Sequence, residues 1–140
     1  MRFSGVSAAG NGMKILVDTC TFLWIAAESP RLSKTAAAAF LDRNNERYLS
    51  AASAWEIAIK HASGRLPLPE RPDIFVPRLR EASGIAALEI DEESALHAGR
   101  LPGLHADPFD RMLVAQAIVH GMTILTPDPA IEQYAARVLW

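Results

Sequence analysis

Short apolar segments alternate with helical segments along this chain, and this alternation limits the fold more than any other feature. The strand segments are continuously apolar or nearly so, as in Ile15-Leu16-Val17, which is typical of strands buried on both faces. We predict strands at 14–17, 47–50, 86–90, 122–125 and 138–140, and helices at 19–27, 35–43, 51–61, 73–82, 91–100, 108–119 and 129–135. Helices that separate buried strands predict an α/β fold with a central parallel sheet covered on both faces.

The 140 residues fit a single domain that is large enough to bury its own core. Residues 1–12 are small and polar and lack the hydrophobic core of a signal peptide. We therefore predict a flexible N-terminal extension at 1–12, with Met13 as an alternative start, and a folded domain at 13–140. No apolar run approaches the roughly 20 residues that span a bilayer, so no membrane association is expected.

The charge and the cysteine content restrict the classes of function. A net charge of −2 lacks the basic excess that often marks nucleic-acid binders, which argues only against broad, non-specific phosphate binding. Cys20 is the only cysteine, so no internal disulfide can form, and the reducing cytoplasm is the simplest compartment. No activating base lies near Cys20 in sequence, and we interpret it as a small buried residue rather than a nucleophile.

Four carboxylates stand where apolar segments end or helices begin, namely Asp18, Glu56, Asp110 and Asp128. Bringing carboxylates together is electrostatically costly unless a cation neutralises them. Asp18 and Asp128 follow strands, and ligands of open parallel sheets bind at the carboxyl ends of the strands. Oxygen donors, without Cys and His pairs at zinc spacing, favour Mg²⁺ or Mn²⁺. Among the histidines, only His105 is considered as an additional member of this site.

Each of these carboxylates also has a structural explanation. Asp107 and Asp128 each precede a proline, the pattern of a helix cap, and Asp110 follows Asp107 at the spacing of a capping box. Glu56 and Lys60 are spaced for an ion pair within one helix. The helix around Glu56, however, is apolar on nearly all sides. This pattern predicts a buried helix, in which an unpaired glutamate would be expensive.

The chain resembles the PIN-domain ribonucleases of the VapC toxin type over residues 13–140. Four segments in order carry the resemblance: ILVDT at 15–19, SAASAWEIA at 50–58, DPFDR at 107–111 with AQA at 115–117, and LTPDP at 125–129. It implies a three-layer α/β/α sandwich and cleavage of RNA that depends on Mg²⁺ or Mn²⁺. The implied catalytic and metal-binding residues are Asp18, Glu56, Asp110 and Asp128, with Asp107 as a further acidic neighbour.

The resemblance also implies partners. Toxins of this family are homodimers inhibited by a cognate antitoxin protein, as one half of a type II toxin–antitoxin pair. This chain has Pro127 where relatives often carry Arg, which removes a cation that could face a phosphate. Lys60, Arg65 and Arg111 lie near the motifs and are candidates for contacts with RNA phosphates. For Lys60 and Arg65, surface ion pairs are the alternative explanation, and Arg111 can instead orient the carboxylates.

Two other phosphate-handling classes do not fit the sequence. Phosphatases of the haloacid dehalogenase type need a second Asp two residues after the Asp that ends the strand, and Cys20 occupies that position. A dinucleotide-binding domain would need a glycine-rich turn after the first strand. The hypothesis is therefore a metal-dependent endoribonuclease. The remaining alternative is a catalytically inactive PIN-like module that binds RNA or a protein partner.

Overall fold

The computed structural model describes residues 12–140, so the predicted extension, apart from Gly12, lies outside the described residues. The strands are β1 (Lys14–Val17), β2 (Glu46–Ser50), β3 (Ala86–Leu88), β4 (Thr123–Leu125) and β5 (Arg137–Leu139). The helices are α1 (Thr19–Ala26), α2 (Lys34–Leu41), α3 (Ala51–Ala62), α4 (Pro72–Ala82), α5 (Glu92–Arg100), α6 (Pro108–His120) and α7 (Pro129–Glu132). Within this described part, no helix has both the length and the apolar character needed to cross a membrane.

The five strands form one parallel sheet in the order β3-β2-β1-β4-β5. β1 is central, and its Leu16 aligns with Tyr48 of β2 on one side and Ile124 of β4 on the other. From β1 the chain first adds β2 and β3 on one side of the sheet, and later adds β4 and β5 on the other side. The strand order therefore reverses between β1 and β4, and in open α/β sheets ligands bind at such a reversal.

Hydrophobic residues on the two faces of the sheet form two separate cores. Ile15 and Val17 of β1 belong to one core, together with residues of α1 to α4 such as Phe22. Leu16 belongs to the other, with residues of α6 and α7 such as Leu113. This division follows from the alternation of side chains along a strand. The predicted α/β/α sandwich with a parallel central sheet is confirmed.

Side-chain caps fix where the helices near the carboxyl edge of the sheet begin. The carboxylates of Asp18, Asp107 and Asp128 accept hydrogen bonds from main-chain N–H groups in the first turns of α1, α6 and α7. These bonds satisfy groups that would otherwise lack a partner inside the helix. Gly121 ends α6 with φ of 66°, a left-handed conformation that glycine adopts without steric cost. The caps place three carboxylates at one end of the sheet.

Three elements end at least two residues before their predicted ends, and the first of them, α2, ends at Leu41 rather than at residue 43. β3 ends at Leu88 rather than at residue 90, because it is an edge strand that pairs with β2 through only three residues. Its Ala86 and Ala87 are exposed, so continuous burial does not apply to it. α7 ends at Glu132 rather than at residue 135, since the chain must turn back to begin β5 at Arg137.

Candidate active site

All five acidic residues considered from the sequence line one cavity of about 380 Å³. They are Asp18, Glu56, Asp107, Asp110 and Asp128. Asp18 follows β1 directly and Asp128 follows β4, so the cavity lies at the carboxyl edge of the sheet beside the reversal of strand order. Lys60 and Arg65 also line it. The structure therefore brings together residues that are as much as 110 positions apart in sequence.

Asp18 is almost completely buried, with 4% of its surface exposed, and both carboxylate oxygens are hydrogen-bonded. Oδ1 accepts from the main-chain N–H of Thr21 at 2.9 Å, and Oδ2 accepts from the hydroxyl of Thr126 at 2.5 Å. The same hydroxyl accepts from the main-chain N–H of Asp128 at 3.1 Å. Thr126 thus links the ends of β1 and β4 and fixes the orientation of the Asp18 carboxylate.

Glu56 is buried as well, although its helix is not. Its Oε1 accepts from the Thr19 hydroxyl at 2.6 Å, and its Oε2 forms an ion pair with Lys60 Nζ at 2.6 Å. Trp55 and Ile59 of the same helix are 62% and 38% exposed. The prediction of a largely buried helix is therefore wrong, because α3 keeps one apolar stripe in solvent. Glu56 nevertheless faces the cavity, and its ion pair with Lys60 forms there.

Asp107 and Asp110 lie with His105 in a compact group in which one ligand atom from each residue lies within 4.8 Å of the others. Asp107 caps α6 through the N–H groups of Phe109 and Asp110, at 2.8 and 3.3 Å. Asp110 makes no cap. Its Oδ2 is 2.9 Å from His105 Nε2. Asp107 therefore has the capping role expected from the proline pattern while it also faces the cavity.

Burial raises the pKa of Asp110 to about 6, against the opposing effect of the hydrogen bond with His105. The negative charges of Asp107, Asp128 and Glu56 raise the pKa further. A carboxylate whose ionisation is resisted by like charges is a place where a cation gains free energy. Hard oxygen donors suit a divalent cation, so the carboxylates present fit such an ion.

Cys20 also lines the cavity, where its thiol lies 3.4 Å from Asp18 Oδ1. Burial and the nearby charge of Asp18 raise the pKa of this thiol to about 12. A thiol with so high a pKa is protonated at neutral pH and is a poor nucleophile. This agrees with the interpretation of Cys20 as a non-catalytic residue, although it is half-buried at the site rather than in the core.

Arg111 makes hydrogen bonds that hold a loop. Its guanidinium does not line the cavity and donates mainly to main-chain carbonyl oxygens around the loop between α5 and α6. The acceptors are the carbonyls of Ala98, Leu101, Pro102 and His105 and the hydroxyl of Tyr134. These bonds use the donors that a phosphate would need. The observed hydrogen bonds of Arg111 hold the loop, and its contact with RNA phosphate stays a prediction.

Two threonines were not assigned a role from the sequence. Thr19 and Thr126 each follow a strand within one or two residues, and their hydroxyls donate to Glu56 and Asp18. A threonine within two residues of Asp18 and of Asp128 was a usable signal, because buried carboxylates need donors. The partner of each threonine could not be read from the sequence, since the contacts span 37 and 108 positions.

We expect Asp110→Asn to stabilise the metal-free protein at alkaline pH. A raised pKa means that the native state binds the proton more tightly than the unfolded state, whose value is near 3.8. Wild-type stability from this group is therefore complete below pH 3.8 and is lost as the pH rises through about 6. Asn cannot ionise, so the variant does not lose this stability. At alkaline pH its free energy of unfolding should exceed that of wild type by about 1 kcal/mol, after allowance for partial solvent screening.

Urea unfolding in EDTA at pH 4 and pH 8 measures this difference. The exposed carboxylate of Asp73 on α4 offers a matched control, and Asp73→Asn should leave the difference between the two pH values unchanged. Equal stability of wild type and Asp110→Asn at pH 8 would show that neither burial nor the neighbouring charges penalise the ionised carboxylate.

Comparison with known proteins places these features in a family. The chain is 43% identical over 56 residues to "Ribonuclease VapC16" of Mycobacterium tuberculosis, a match that covers 40% of each protein. It is 30% identical over 125 residues to "Ribonuclease VapC22" of the same organism, covering 86% of this chain and 91% of that one. The first match therefore spans less than half of the relative, and the second nearly all of it.

Solved structures share the fold at lower sequence identity. A complex of VapBC2 from Rickettsia felis bound to a promoter DNA fragment contains a chain with a TM-score of 0.69 and 14% identity, covering 91% of this chain and 98% of that one. A toxin-antitoxin complex from Klebsiella pneumoniae gives 0.56 and 17%, covering 90% and 96%. At these identities the likeness concerns the fold alone.

The family model described as "PIN domain" matches residues 15–137, which is nearly the whole described part of the chain. The match includes both threonines and all five acidic residues of the cavity. The resemblance inferred from four short motifs is confirmed. This chain belongs to the PIN domain family.

Proposed function

We propose that this protein is a metal-dependent endoribonuclease that acts as the toxin of a toxin–antitoxin pair. The observation that carries the proposal is the gathering of five carboxylates in one cavity at the carboxyl edge of the sheet. The names of both mycobacterial relatives, which call them ribonucleases, support RNA as the substrate. The reaction is hydrolysis of an RNA phosphodiester by an activated water.

The proposed metal-binding and catalytic residues are Asp18, Glu56, Asp110 and Asp128, with Asp107 beside them. Mg²⁺ or Mn²⁺ is the cation that this oxygen-rich donor set favours. When bound, such a cation would orient a water and stabilise the negative charge that develops on the phosphate oxygens. One of the carboxylates would accept a proton from the attacking water.

The chain's own residues prepare the carboxylates for this work. Thr126 and the N–H of Thr21 hold the two oxygens of Asp18, while Thr19 and Lys60 hold those of Glu56. Donors that are already in place reduce the reorganisation required when charge develops. These hydrogen bonds also keep the carboxylates at a fixed spacing despite their mutual repulsion. The site is therefore preorganised for a cation in the metal-free protein.

Lys60 and Arg65 are the cations available to hold RNA phosphates at the cavity. The Lys60 side chain is 42% exposed, so its ammonium can reach solvent while it pairs with Glu56. Two cations beside five carboxylates provide local phosphate contacts on a chain whose net charge is −2. This arrangement favours a small number of positioned phosphates over extended backbone binding.

We further propose a cognate antitoxin and a second copy of the chain as protein partners, with the reducing cytoplasm as the compartment. The toxin-antitoxin complex from Klebsiella pneumoniae supports an antitoxin partner through its shared fold. The exposed apolar stripe of α3, with Trp55 and Ile59, supports a protein contact. The unpaired Cys20 fits a reducing compartment. The folded domain is proposed to comprise residues 13–140, after an extension at 1–12.

Incubation of end-labelled RNA with the purified full-length protein tests the proposal. We expect cleavage at internal positions in Mg²⁺ or Mn²⁺, loss of cleavage in EDTA, and recovery when excess metal is returned. An inactive PIN-like module would bind RNA or a partner without cutting in any of these conditions. Cleavage that continues unchanged in EDTA would contradict the metal-dependent mechanism.

Two measurements in cells separate a toxin from a general nuclease. Expression of the chain alone should arrest growth, and co-expression with the proposed antitoxin should relieve the arrest and yield a copurifying complex. If the purified protein cleaves RNA in vitro but its expression does not arrest growth, the protein is a nuclease that is not a toxin.

A further inference from the structure

His105 touches the proposed metal centre through a single well-formed contact. Its Nε2 lies 2.9 Å from Oδ2 of Asp110, and the side chains are 27% and 17% exposed. An ionised carboxylate can only accept hydrogen bonds, so the imidazole nitrogen must be the donor. Among the described residues, no other side chain donates to the Asp110 carboxylate. The orientation of this carboxylate therefore depends on one histidine.

The loop that carries His105 is itself held in place. The carbonyl oxygen of His105 accepts from the hydroxyl of Tyr134 at 3.2 Å and from Arg111 Nη1 at 3.4 Å. Arg111 Nη1 also contacts the Tyr134 hydroxyl at 3.3 Å. One anchor comes from α6 and the other from the segment between α7 and β5. The backbone of His105 is thus fixed by two separate elements while its side chain reaches Asp110.

Asp110 needs such a donor more than the other carboxylates do. Asp18 has three donors and Glu56 has two, while Asp107 and Asp128 accept hydrogen bonds from helix N-termini. Asp110 is surrounded by the charges of Asp107, Asp128 and Glu56. Without a donor its carboxylate would be free to rotate away from its neighbours, because like charges repel.

We propose that His105 is a positioning residue that holds the Asp110 carboxylate for the divalent cation. His105 donates from Nε2, so that nitrogen carries a proton and has no lone pair for the metal, and the histidine acts on the cation through Asp110. The inference rests on the proposed function, because the cation is part of it. Donors that orient ligating carboxylates and histidines typically change metal affinity by about 10–100-fold when they are removed.

Binding of Mn²⁺ to the full-length protein without RNA, followed by electron paramagnetic resonance, tests the inference. His105→Leu removes the donor, and His105→Gln returns an N–H donor near the position of Nε2. We expect the Kd for Mn²⁺ to rise about tenfold in the Leu variant and to return to within about threefold of wild type in the Gln variant. His97→Leu on α5, away from the cavity, is the control and should bind as wild type does.

The outcomes distinguish the two proposals. If wild type binds Mn²⁺ and cleaves RNA but His105→Leu binds equally well, the positioning role is overturned and the proposed function stands. If His105→Gln binds as poorly as His105→Leu, or if the spectra show a nitrogen bonded directly to Mn²⁺, the donor role is also overturned. If wild type neither binds Mn²⁺ nor cleaves RNA, the proposed function fails and the positioning role fails with it.

Discussion

Asp18→Asn is expected to reduce the rate of metal-dependent RNA cleavage by a factor on the order of 10³, which corresponds to about 4 kcal/mol in the activation free energy. Asp18 is the most deeply buried of the five acidic residues, and its carboxylate lies at the reversal of strand order. The amide keeps the size of the side chain and can still cap α1 through Thr21 N. It removes the charge that attracts the cation, so the loss should appear in activity rather than in folding.

Initial rates of cleavage of a fluorogenic RNA, measured over a range of Mg²⁺ concentrations, give this factor. Asp73→Asn removes an exposed carboxylate from α4 and should retain wild-type rates. Urea unfolding should show that Asp18→Asn is as stable as wild type in EDTA, because one fewer negative charge lies in the cavity. A rate within threefold of wild type at every Mg²⁺ concentration would remove Asp18 from the proposed site.

The fold could be predicted largely because continuous apolar runs in the sequence indicate buried strands. Ile15-Leu16-Val17 is apolar on both faces of its strand, which is typical of a covered parallel sheet, and both faces of β1 are indeed covered. The predicted range of β3 was too long, because Ala and Leu do not distinguish an edge strand from a central strand. The end of α7 was predicted too late, because the chain must leave this helix early enough to begin β5. That is a tertiary constraint.

Three of the acidic residues could be placed at the edge of the sheet because each has a local reason to lie there. Asp18 ends a strand, and Asp107 and Asp128 begin helices before prolines. Glu56 was selected partly for a wrong reason, since its helix exposes Trp55, yet its own side chain is buried. The donors could not be predicted. Which hydroxyl meets which carboxylate depends on strand order, and the sequence does not contain that order explicitly.

The partners of Arg111 could not be predicted from the sequence either. Its position next to Asp110 indicated a contact with phosphate or with the carboxylates, because neighbours in sequence were treated as neighbours in function. On a helix, adjacent residues point about 100° apart. Asp110 faces the cavity, and Arg111 faces the loop that closes α5 onto α6. The charge therefore serves the scaffold on which the proposed site is built.

Arg111→Ala is expected to lower the free energy of unfolding by about 3 kcal/mol. The guanidinium donates to the carbonyl oxygens of Ala98, Leu101 and Pro102 at 2.9–3.0 Å. Hydrogen bonds from a charged donor contribute about 1.5–3 kcal/mol each, although water can replace the bond to the exposed Pro102 carbonyl. Arg111→Lys should recover less than half of the loss, because an ammonium cannot reproduce the planar fork of donors.

Urea unfolding monitored by tryptophan fluorescence measures the loss, and Arg100→Ala is the matched control. Arg100 is an exposed neighbour whose recorded side-chain contact is with His97, so its removal should cost less than about 0.5 kcal/mol. The contrary result is equally specific. If Arg111→Ala unfolds as wild type does but binds RNA more weakly with a shallower salt dependence, then Arg111 contacts phosphate after all. A large loss of stability with normal RNA affinity in the folded fraction would instead show that its donors belong to the loop that positions His105.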